Sequence, residues 1–200
     1  MNIVIIDYGA GNIKSLQFAI ERLGFTAILS NTPEVIINAD KVIFPGVGEA
    51  STAMRKLKAS GLEVLIPKLT QPVLGICLGM QLLCKSSEEN NTKGLGVFNV
   101  DILKFSSETL KVPQMGWNTV HDLKGKLFAN ISEAKKEKQE NYMYAVHSYY
   151  APICTHTVAT TTYGISYSAA LQMKNFYGVQ FHPEKSSTAG EQILKNFLSL

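Results

Sequence analysis

Cys77 is the residue with the clearest capacity for chemistry in this chain. It lies at the centre of Gly75-Ile76-Cys77-Leu78-Gly79, after an apolar run typical of a buried strand and before a helical pattern. A nucleophile with glycines two residues to either side is typical of the sharp strand-to-helix turn called a nucleophile elbow. Neighbouring backbones approach closely at such a turn, so a Cβ at either glycine would collide. The pattern predicts a reactive thiol at a helix N-terminus, where the helix dipole favours the thiolate.

A buried, inert cysteine is the alternative interpretation, because free cysteines are commonly packed in cores. The flanking glycines favour a nucleophile at Cys77, whereas Cys84 and Cys154 lack such flanks and are predicted to be core or incidental residues. Three cysteines cannot all pair. On one helix Cys77 and Cys84 would be about 10.5 Å apart along the axis, too far for a disulfide. This cysteine usage fits a reducing compartment.

A thiol nucleophile needs a base, and His182 is the best candidate among four histidines. It follows a short apolar strand pattern and precedes Pro183, which biases it toward an extended backbone. Residues two apart in an extended chain point the same way, so Glu184 can orient the imidazole and stabilise its protonated form. The alternative is a strand end with a surface ion pair. His147 is predicted to be a core or rim residue, and His121 and His156 show no partner.

Two glycine-rich turns precede helical patterns in the first half of the chain. Gly9-x-Gly11 begins like a dinucleotide-binding fingerprint, but Lys14 occupies the position of its third glycine, and neither turn fits a phosphate-binding P-loop. A tight turn that presents backbone N–H groups is therefore favoured over nucleotide binding. The second such turn lies at positions 46–48.

Apolar periodicity predicts the elements that position these residues. In the first half, strands at 3–6, 25–29, 42–44 and 73–76 alternate with helices, including one at about 50–59 that Gly61 would cap. The second half is strand-rich, which indicates an antiparallel portion, with strands predicted at 95–105, 142–150, 158–162, 169–173 and 178–181. Thr188 and Glu191 form a capping-box pattern before a last helix. The mixed-sign charges at 133–140 indicate a solvated helix or loop.

These elements predict an α/β fold: a three-layer sandwich with a central, mostly parallel sheet and an antiparallel extension, in one domain spanning residues 1–200. Of the 200 residues, 46% are apolar and 18% charged, which excludes a disordered or fibrous chain. A formal charge of +3 without a basic block gives no indication of nucleic-acid binding. No stretch approaches the roughly 20 apolar residues of a membrane helix, and no secretory signal is recognisable, so a cytoplasmic location is expected.

Three motifs together resemble the signatures of class I (triad) glutamine amidotransferases. They are Pro-Gly-Val-Gly at 45–48, Gly-Ile-Cys-Leu-Gly-Met-Gln at 75–81 and Gln-Phe-His-Pro-Glu-Lys-Ser at 180–186, and the resemblance runs essentially from end to end. Asp-Tyr-Gly-x-Gly-Asn at 7–12, Met80 and Gln-Met-Gly-Trp-Asn at 114–118 are similar to the glutaminase subunits of imidazole glycerol phosphate synthases. Several relatives, such as those that use chorismate, more often have His at the position of Met80.

The resemblance implies hydrolysis of L-glutamine to glutamate and ammonia, with no metal ion or cofactor. Cys77 would be the nucleophile, His182 the base and Glu184 the residue that orients it. The oxyanion would be stabilised by backbone N–H groups from Leu78 and from the second glycine-rich turn, formed by Gly46, Val47 and Gly48. Gln81 would contact the substrate glutamine.

The resemblance also implies a partner, because ammonia at neutral pH is mostly ammonium and needs a dry path to a second active site. That partner would be a (β/α)8 barrel cyclase, which makes imidazole glycerol phosphate and the purine precursor AICAR in histidine biosynthesis. By the same resemblance, the isolated glutaminase is nearly inactive until the partner holds its ligand. Candidate interface residues by motif position are Asn12, Trp117, Tyr144 and Lys185, although Trp117 could equally be a core residue.

Other functions stay open at this point. Ala10, Gln114 and Glu49 depart from the commonest family pattern, and none of them removes a catalytic group. They leave the partner open, because related subunits feed ammonia to cell-surface sugar pathways. A free-standing cysteine γ-glutamyl hydrolase would act without a partner. A non-catalytic regulatory subunit is disfavoured because all three triad positions are filled.

Overall fold

The computed structural model describes residues 1–9, 11–108, 110–131 and 141–200, and the fold is given for these parts of the chain. The strands are β1 (Ile3–Ile6), β2 (Ala27–Ser30), β3 (Lys41–Phe44), β4 (Val73–Ile76), β5 (Cys84–Ser87), β6 (Thr92–Lys93), β7 (Phe98–Lys104), β8 (Gln114–Thr119), β9 (Tyr142–His147), β10 (Tyr149–Tyr150), β11 (Thr157–Tyr163), β12 (Ile165–Met173) and β13 (Phe176–Val179). The helices are α1 (Ile13–Arg22), α2 (Pro33–Ile37), α3 (Ala50–Ala59), α4 (Leu62–Leu65), α5 (Leu78–Leu83) and α6 (Ser187–Leu198).

A seven-stranded sheet in the order β11-β12-β13-β4-β3-β1-β2 forms the centre of the fold. The five strands from β13 to β2 are parallel to their neighbours, and β12 and β11 extend the sheet antiparallel beyond β13. The predicted mixed sheet is therefore confirmed. β4 and β13 are adjacent, with Ile76 paired to Val179, so the chain leaves both strands at the same edge of the sheet. That pairing places the segment after Cys77 beside the segment that leads to His182.

Two smaller sheets, called here the covering sheets, pack against opposite faces of the central sheet. One has the order β10-β7-β5-β6 and the other is the antiparallel pair of β8 and β9. The predicted strand at 142–150 is thus divided into β9 and β10, which belong to different sheets. β8 was not predicted as a strand. Its apolar residues Met115 and Trp117 do alternate with polar ones, but they face outward while Gln114 is buried, the reverse of the usual pattern.

The core consists of two apolar layers on the two faces of the central sheet. Alternate residues of β1 divide between them: Val4 and Ile6 pack in one layer, and Ile3 and Ile5 in the other. This division follows from the two-residue period of a strand, and it explains why a strand buried on both faces is a continuous apolar run. No helix in the described ranges combines the length and hydropathy that a bilayer crossing requires.

The start of the last helix differs from the prediction. α6 begins at Ser187, with Ser186 as its N-cap residue, and Thr188 makes no capping hydrogen bond. The hydroxyl of Ser186 instead donates to the carbonyl of His182 at 2.6 Å and accepts a hydrogen bond from the Tyr144 N–H at 3.0 Å. The predicted cap of α3 is correct, since Gly61 has a left-handed φ of 72° directly after the helix end. The charged segment 133–140 lies outside the described residues.

Candidate active site

Cys77 occupies a strained corner between β4 and α5. Its backbone has φ 54° and ψ −112°, a conformation that side-chain-bearing residues rarely adopt and that concentrates at functional sites. The Cys77 N–H donates to the carbonyl of Val179 at 2.8 Å, which fixes the corner to the end of β13. The sulfur lies 3.8 Å from the Val146 carbonyl oxygen and 3.7 Å from Gln180 Nε2. The predicted strand-to-helix elbow is present with the thiol at its corner.

The two flanking glycines are required by close packing. A Cβ on Gly79 would lie 1.9 Å from the Phe44 carbonyl oxygen, at the end of the neighbouring strand β3. A Cβ on Gly75 would lie 2.8 Å from the backbone nitrogen of Met80 in the first turns of α5. Real Cβ contacts do not reach such distances, so the sequence argument from steric collision is supported at both positions.

His182 and Glu184 form a buried pair beside this corner. His182 Nδ1 lies 2.9 Å from Glu184 Oε1, and their side chains are only 3% and 4% exposed. The His182 backbone is extended, as the following proline predicts, and its N–H donates to the Tyr144 carbonyl at 2.8 Å. His182 Nε2 is buried and has no hydrogen-bond partner among the described residues. This nitrogen is therefore the ring atom left available to a nucleophile or a substrate.

The charge state of His182 follows from its neighbours. Burial by itself lowers the pKa of His182, but the adjacent Cys77 and Glu184 side chains favour the protonated ring, and together they raise this pKa to about 10. A protonated imidazole beside a sulfur is the acid form needed to protonate a leaving amine. The electrostatics therefore suit cysteine-based acyl transfer.

Cys77 and His182 open into the same cavity, of about 310 Å³. This volume is at the lower end of the range for small-molecule sites. The other lining residues come from the Gly46–Gly48 turn, α5, the 3-10 turn Glu89–Asn91, the residue before β8, and the end of β9 with the start of β10, namely Val47, Gly48, Leu78, Gln81, Glu89, Pro113, Val146, His147, Ser148 and Tyr149. The structure thus brings Cys77 and His182 together with four further predicted site positions, three of them predicted oxyanion-hole residues and the fourth Gln81, whereas Gly46 is not part of this lining.

Several lining residues were not identified from the sequence. Glu89 is the one acidic side chain of this lining, and burial raises its pKa. Ser148 and Tyr149 enter through the covering sheets, whose arrangement no local pattern encodes. The sequence signal for Glu89 was weak, because it stands in a run of charged and polar residues that resembles any exposed loop.

The glycine-rich turn at Gly46, Val47 and Gly48 packs directly against the elbow. A Cβ on Gly46 would lie 2.8 Å from the Gly79 backbone nitrogen, and Tyr8 anchors the preceding residue by donating to the Pro45 carbonyl at 2.8 Å. In the described part of the chain, the N–H groups of Val47 and Gly48 make no backbone hydrogen bond. Leu78 is the first residue of α5, so its N–H has no acceptor within the helix. These donors border the cavity beside Cys77.

Gln81 is buried and connects two walls of the cavity. Its Nε2 donates to the Tyr149 carbonyl at 3.0 Å and to Gln180 Oε1 at 2.9 Å. Gln180 in turn points its Nε2 toward the Cys77 sulfur. Gln180 belongs to the 180–186 motif, but its contact with the sulfur was not inferred from the sequence. Gln81 therefore positions its neighbours as well as lining the space that a substrate would occupy.

His147 is a neutral, hydrogen-bonded wall residue, in agreement with the core or rim prediction. Burial lowers the pKa of His147 to about 4. Its Nδ1 lies 2.8 Å from the Tyr149 carbonyl oxygen and its Nε2 lies 3.1 Å from the Tyr167 hydroxyl oxygen. The Tyr167 hydroxyl donates to Gln114 Oε1 at 2.7 Å. Both ring nitrogens are thus engaged, which makes His147 unsuitable as the base for Cys77.

Three of the four predicted interface residues are adjacent on the surface. The Trp117 ring, 54% exposed on β8, meets the Tyr144 ring edge-on with centroids 6.1 Å apart, and Lys185 Nζ lies 5.8 Å from the Tyr144 ring centroid. Trp117 is thus a surface residue. Asn12 lies beside a small cavity that His182 and Glu184 also line. Among the residues described, no cluster of three or more metal-ligating side chains occurs.

Comparisons with known proteins agree with this geometry. The sequence matches the family "Glutamine amidotransferase class-I" over residues 4–200. It is 51% identical, over the full length of both chains, to the imidazole glycerol phosphate synthase subunit HisH of Bacteroides fragilis strain YCH46. The corresponding subunit of Yersinia pseudotuberculosis is 46% identical, also over the full length of both chains.

Solved structures match in fold at lower identity. A putative GMP synthase component from Thermoplasma acidophilum has a TM-score of 0.72 and 19% identity, with 100% of this chain and 92% of that chain covered. A crystal structure of a glutamine amidotransferase has a TM-score of 0.73 and 17% identity, with 98% and 97% covered. The chain therefore belongs to the class-I glutamine amidotransferase family and, within it, to the group of HisH subunits of imidazole glycerol phosphate synthase.

Proposed function

We propose that this chain hydrolyses L-glutamine to glutamate and ammonia with Cys77, His182 and Glu184, and passes the ammonia to a cyclase subunit. The cyclase would use it to make imidazole glycerol phosphate and AICAR in histidine biosynthesis. The observation that carries this proposal is that Cys77 and His182 line one cavity while Glu184 holds the far side of the imidazole at 2.9 Å. We infer that residues 1–200 form one glutaminase domain.

The acylation step follows from the orientation of the imidazole. The Cys77 sulfur attacks the side-chain carbonyl carbon of glutamine, and the C–N bond breaks when the nitrogen receives a proton from His182 Nε2. Ammonia leaves and a γ-glutamyl thioester remains on Cys77. Glu184 keeps Nδ1 engaged throughout, so Nε2 is the nitrogen that exchanges the proton.

The thioester is then hydrolysed by the same groups. His182 Nε2 takes a proton from a water molecule, whose oxygen attacks the thioester carbonyl, and the C–S bond breaks to release glutamate and the thiolate. Each step passes through a tetrahedral oxyanion. Under this proposal, the N–H of Leu78 and those of the turn at Gly46, Val47 and Gly48 stabilise it. One such donor typically contributes about 3 kcal/mol to lowering the barrier.

The polar groups of the cavity match the rest of the glutamine molecule. Glu89 supplies a carboxylate for the α-ammonium group, which a neutral lining would leave unpaired. Gln81 lies between the Tyr149 backbone and Gln180, where it shapes the space for the substrate side chain. A substrate lacking the α-ammonium group would lose the ion pair with Glu89 and should bind more weakly.

The partner is a (β/α)8 barrel cyclase that forms a heterodimer with this chain. Trp117 and Tyr144 are of residue types enriched at binding hot spots, and Lys185 places a cation beside them. Asn12 lies beside a small cavity that His182 and Glu184 also line, so under this proposal the partner docks on this side of the catalytic residues and receives the ammonia there. A reducing cytoplasm suits a thiol that must stay unpaired, and the three cysteines are free.

The decisive experiment measures glutamate release from glutamine with the chain alone, with the cyclase, and with the cyclase holding its phosphorylated ligand. The proposal expects strong activity only in the last mixture. Strong activity of the chain alone would instead indicate a free-standing γ-glutamyl hydrolase. If a synthase of a cell-surface sugar pathway activates the chain and the cyclase does not, that synthase is the partner. No activity in any mixture would indicate a regulatory subunit.

A further inference from the structure

The Gly46–Gly48 turn is closely packed at Gly46 and has open space around Gly48. At its first residue a Cβ would lie within 3 Å of Tyr8, Leu78 and Gly79, so Gly46 is packed against the elbow. At its last residue, Gly48, an added Cβ would meet nothing within 4 Å. Gly48 also has a φ of 97°, so its backbone has the freedom of glycine without neighbours to restrict it.

Glu49, the next residue, makes several side-chain hydrogen bonds directly after the turn. It is the N-cap residue of α3, and its carboxylate accepts hydrogen bonds from the hydroxyls of Ser51 and Thr52 and from the side-chain amide of Asn90. These hydrogen bonds lower the pKa of Glu49, so the carboxylate is charged near neutral pH. Ser51 and Thr52 belong to the same helix, whereas Asn90 is 41 positions away in the chain.

Asn90 connects Glu49 to the substrate side of the cavity. It lies in the 3-10 turn Glu89–Asn91, and its left-handed φ of 52° directs the chain back toward α3. Glu89, immediately before it, lines the catalytic cavity and accepts a hydrogen bond from the Ala50 N–H at 2.7 Å. Two side chains therefore link the segment after the oxyanion turn to the segment that carries the cavity's acidic group.

The geometry points to Glu49 as a positioning residue that, through Asn90, holds the Gly48 end of the oxyanion turn in register with the cavity. This inference rests on the proposed function, because it assigns a consequence to the orientation of that turn. Glu49 touches no reacting atom. It acts by restricting Val47 and Gly48, whose N–H groups must face the oxyanion, and a displacement of about 1 Å at such a donor can cost up to about 100-fold in rate.

The test uses the complex of the chain with its cyclase at saturating cyclase ligand. The variants are Glu49→Gln, Asn90→Gly and their combination. Asn90→Gly removes the amide and keeps the left-handed backbone that glycine tolerates, so it probes the contact even if Glu49→Gln folds poorly. Glu63→Gln is the matched control, since Glu63 on α4 pairs with Lys58 on α3 at 3.9 Å and does not line the catalytic cavity. Each protein is assayed for kcat and KM with glutamine.

A second measurement distinguishes a displaced oxyanion turn from a general disturbance of the catalytic site. Iodoacetamide alkylates Cys77 by displacing iodide from carbon, a reaction with no oxyanion, so its rate depends on the thiolate and not on the turn. The rate is followed by mass spectrometry of the peptide that contains Cys77. The expected result is a kcat about tenfold lower in both single variants, with KM and the alkylation rate within about twofold of wild type. The kcat of the double variant should be no lower than that of the less active single variant, because Glu49 and Asn90 act through the same contact.

Three results would overturn the inference while leaving the proposed function intact: wild-type kcat in Glu49→Gln and Asn90→Gly, an alkylation rate that falls in parallel with kcat, or losses that multiply in the double variant. A wild-type complex without Cys77-dependent glutamine turnover would instead overturn the proposed function, and this inference with it. The control Glu63→Gln is expected to match wild type in every readout.

Discussion

His182 Nδ1 lies 2.9 Å from Glu184 Oε1 inside a region that solvent scarcely reaches. The two residues are separated by Pro183, and the second carboxylate oxygen of Glu184 is buried without a hydrogen-bond partner in the described chain. An unpaired buried polar atom is costly, and the contact with the imidazole is what this carboxyl group gains in its buried position. Glu184 engages Nδ1 of the ring, and together with Cys77 it raises the pKa of His182.

Replacing Glu184 by glutamine tests this relationship. Glu184→Gln removes the charge that helps to keep the ring protonated, so we expect the pKa of His182 to fall and the glutaminase rate of the cyclase complex to drop by about 10²- to 10⁴-fold. NMR titration of the His182 ring protons and the pH profile of kcat measure the two effects. An unchanged rate in a folded Glu184→Gln complex would remove Glu184 from the triad.

Two histidines should give the stability of the chain opposite dependences on pH. The pKa of His182 is raised from 6.5 to about 10, so the native state binds more protons in that interval, and its stabilising contribution is full below pH 6.5 and lost as pH rises toward 10. The pKa of His147 is lowered from 6.5 to about 4, so the unfolded state binds more protons between these values. Stability should therefore fall as pH decreases from 6.5 to 4.

Urea unfolding of wild type, His147→Phe and His182→Gln at pH 4 to 10 checks these signs. His147→Phe should reduce the pH dependence of the unfolding free energy between pH 4 and 6.5. His182→Gln should reduce it between pH 6.5 and 10. Each variant should have little effect in the other pH range. An alkaline limb that persists unchanged in His182→Gln would show that the imidazole is not held protonated in the native state. The chain alone suffices for this measurement, because both residues lie within it.

The steric argument about the elbow predicts a difference between two glycines. Gly79→Ala places a Cβ 1.9 Å from a backbone oxygen, so we expect a loss of about 3 kcal/mol or more in unfolding free energy, or failure to fold. Gly24→Ala, the matched control, has φ 84° and open space around the new methyl group, and should cost only about 1–2 kcal/mol of backbone strain. Equal losses measured by urea unfolding would contradict the close-packing explanation.

The elbow and the His182–Glu184 pair could be predicted because each is encoded locally. Glycine spacing around Cys77 and the proline after His182 restrict the backbone wherever the chain folds. That the two segments meet follows from the adjacency of β4 and β13, which the sequence indicated only as two apolar strands. Their pairing is a tertiary choice that no local pattern contains.

Residues that depend on the covering sheets could not be predicted. Glu89 follows β5, and Ser148 and Tyr149 lie where β9 passes into β10, so they reach the cavity through the pairing of strands that are distant in the chain. The start of α6 was misplaced for a related reason. Ser186 uses its hydroxyl to join His182 to Tyr144 and so does not cap the helix with it, a contact across 42 positions that no local capping rule contains.

The nucleophile assignment makes a direct prediction. Cys77→Ser keeps the shape of the elbow but replaces the sulfur with a hydroxyl, a far weaker nucleophile at neutral pH, so glutamine turnover should fall by at least about 10³-fold. The thermal unfolding midpoint should stay within a few degrees of wild type. Cys154→Ser is the control, since Cys154 lies away from the cavity lining, and it should retain full activity. A Cys77→Ser complex with the wild-type rate would show that another residue is the nucleophile.

Trp117 permits a test of the proposed docking surface without a substrate. It is the sole tryptophan of the chain and is more than half exposed, so its emission should shift to shorter wavelength when the cyclase covers it. Trp117→Ala should weaken the affinity for the cyclase by about 30-fold or more, the value of a typical aromatic hot spot, while kcat at saturating cyclase stays near wild type. Val64→Ala, on the exposed side of α4, is the control for loss of surface apolar area. Unchanged emission together with wild-type affinity of Trp117→Ala would place the interface elsewhere, since an anchor buried against a partner must respond in both measurements.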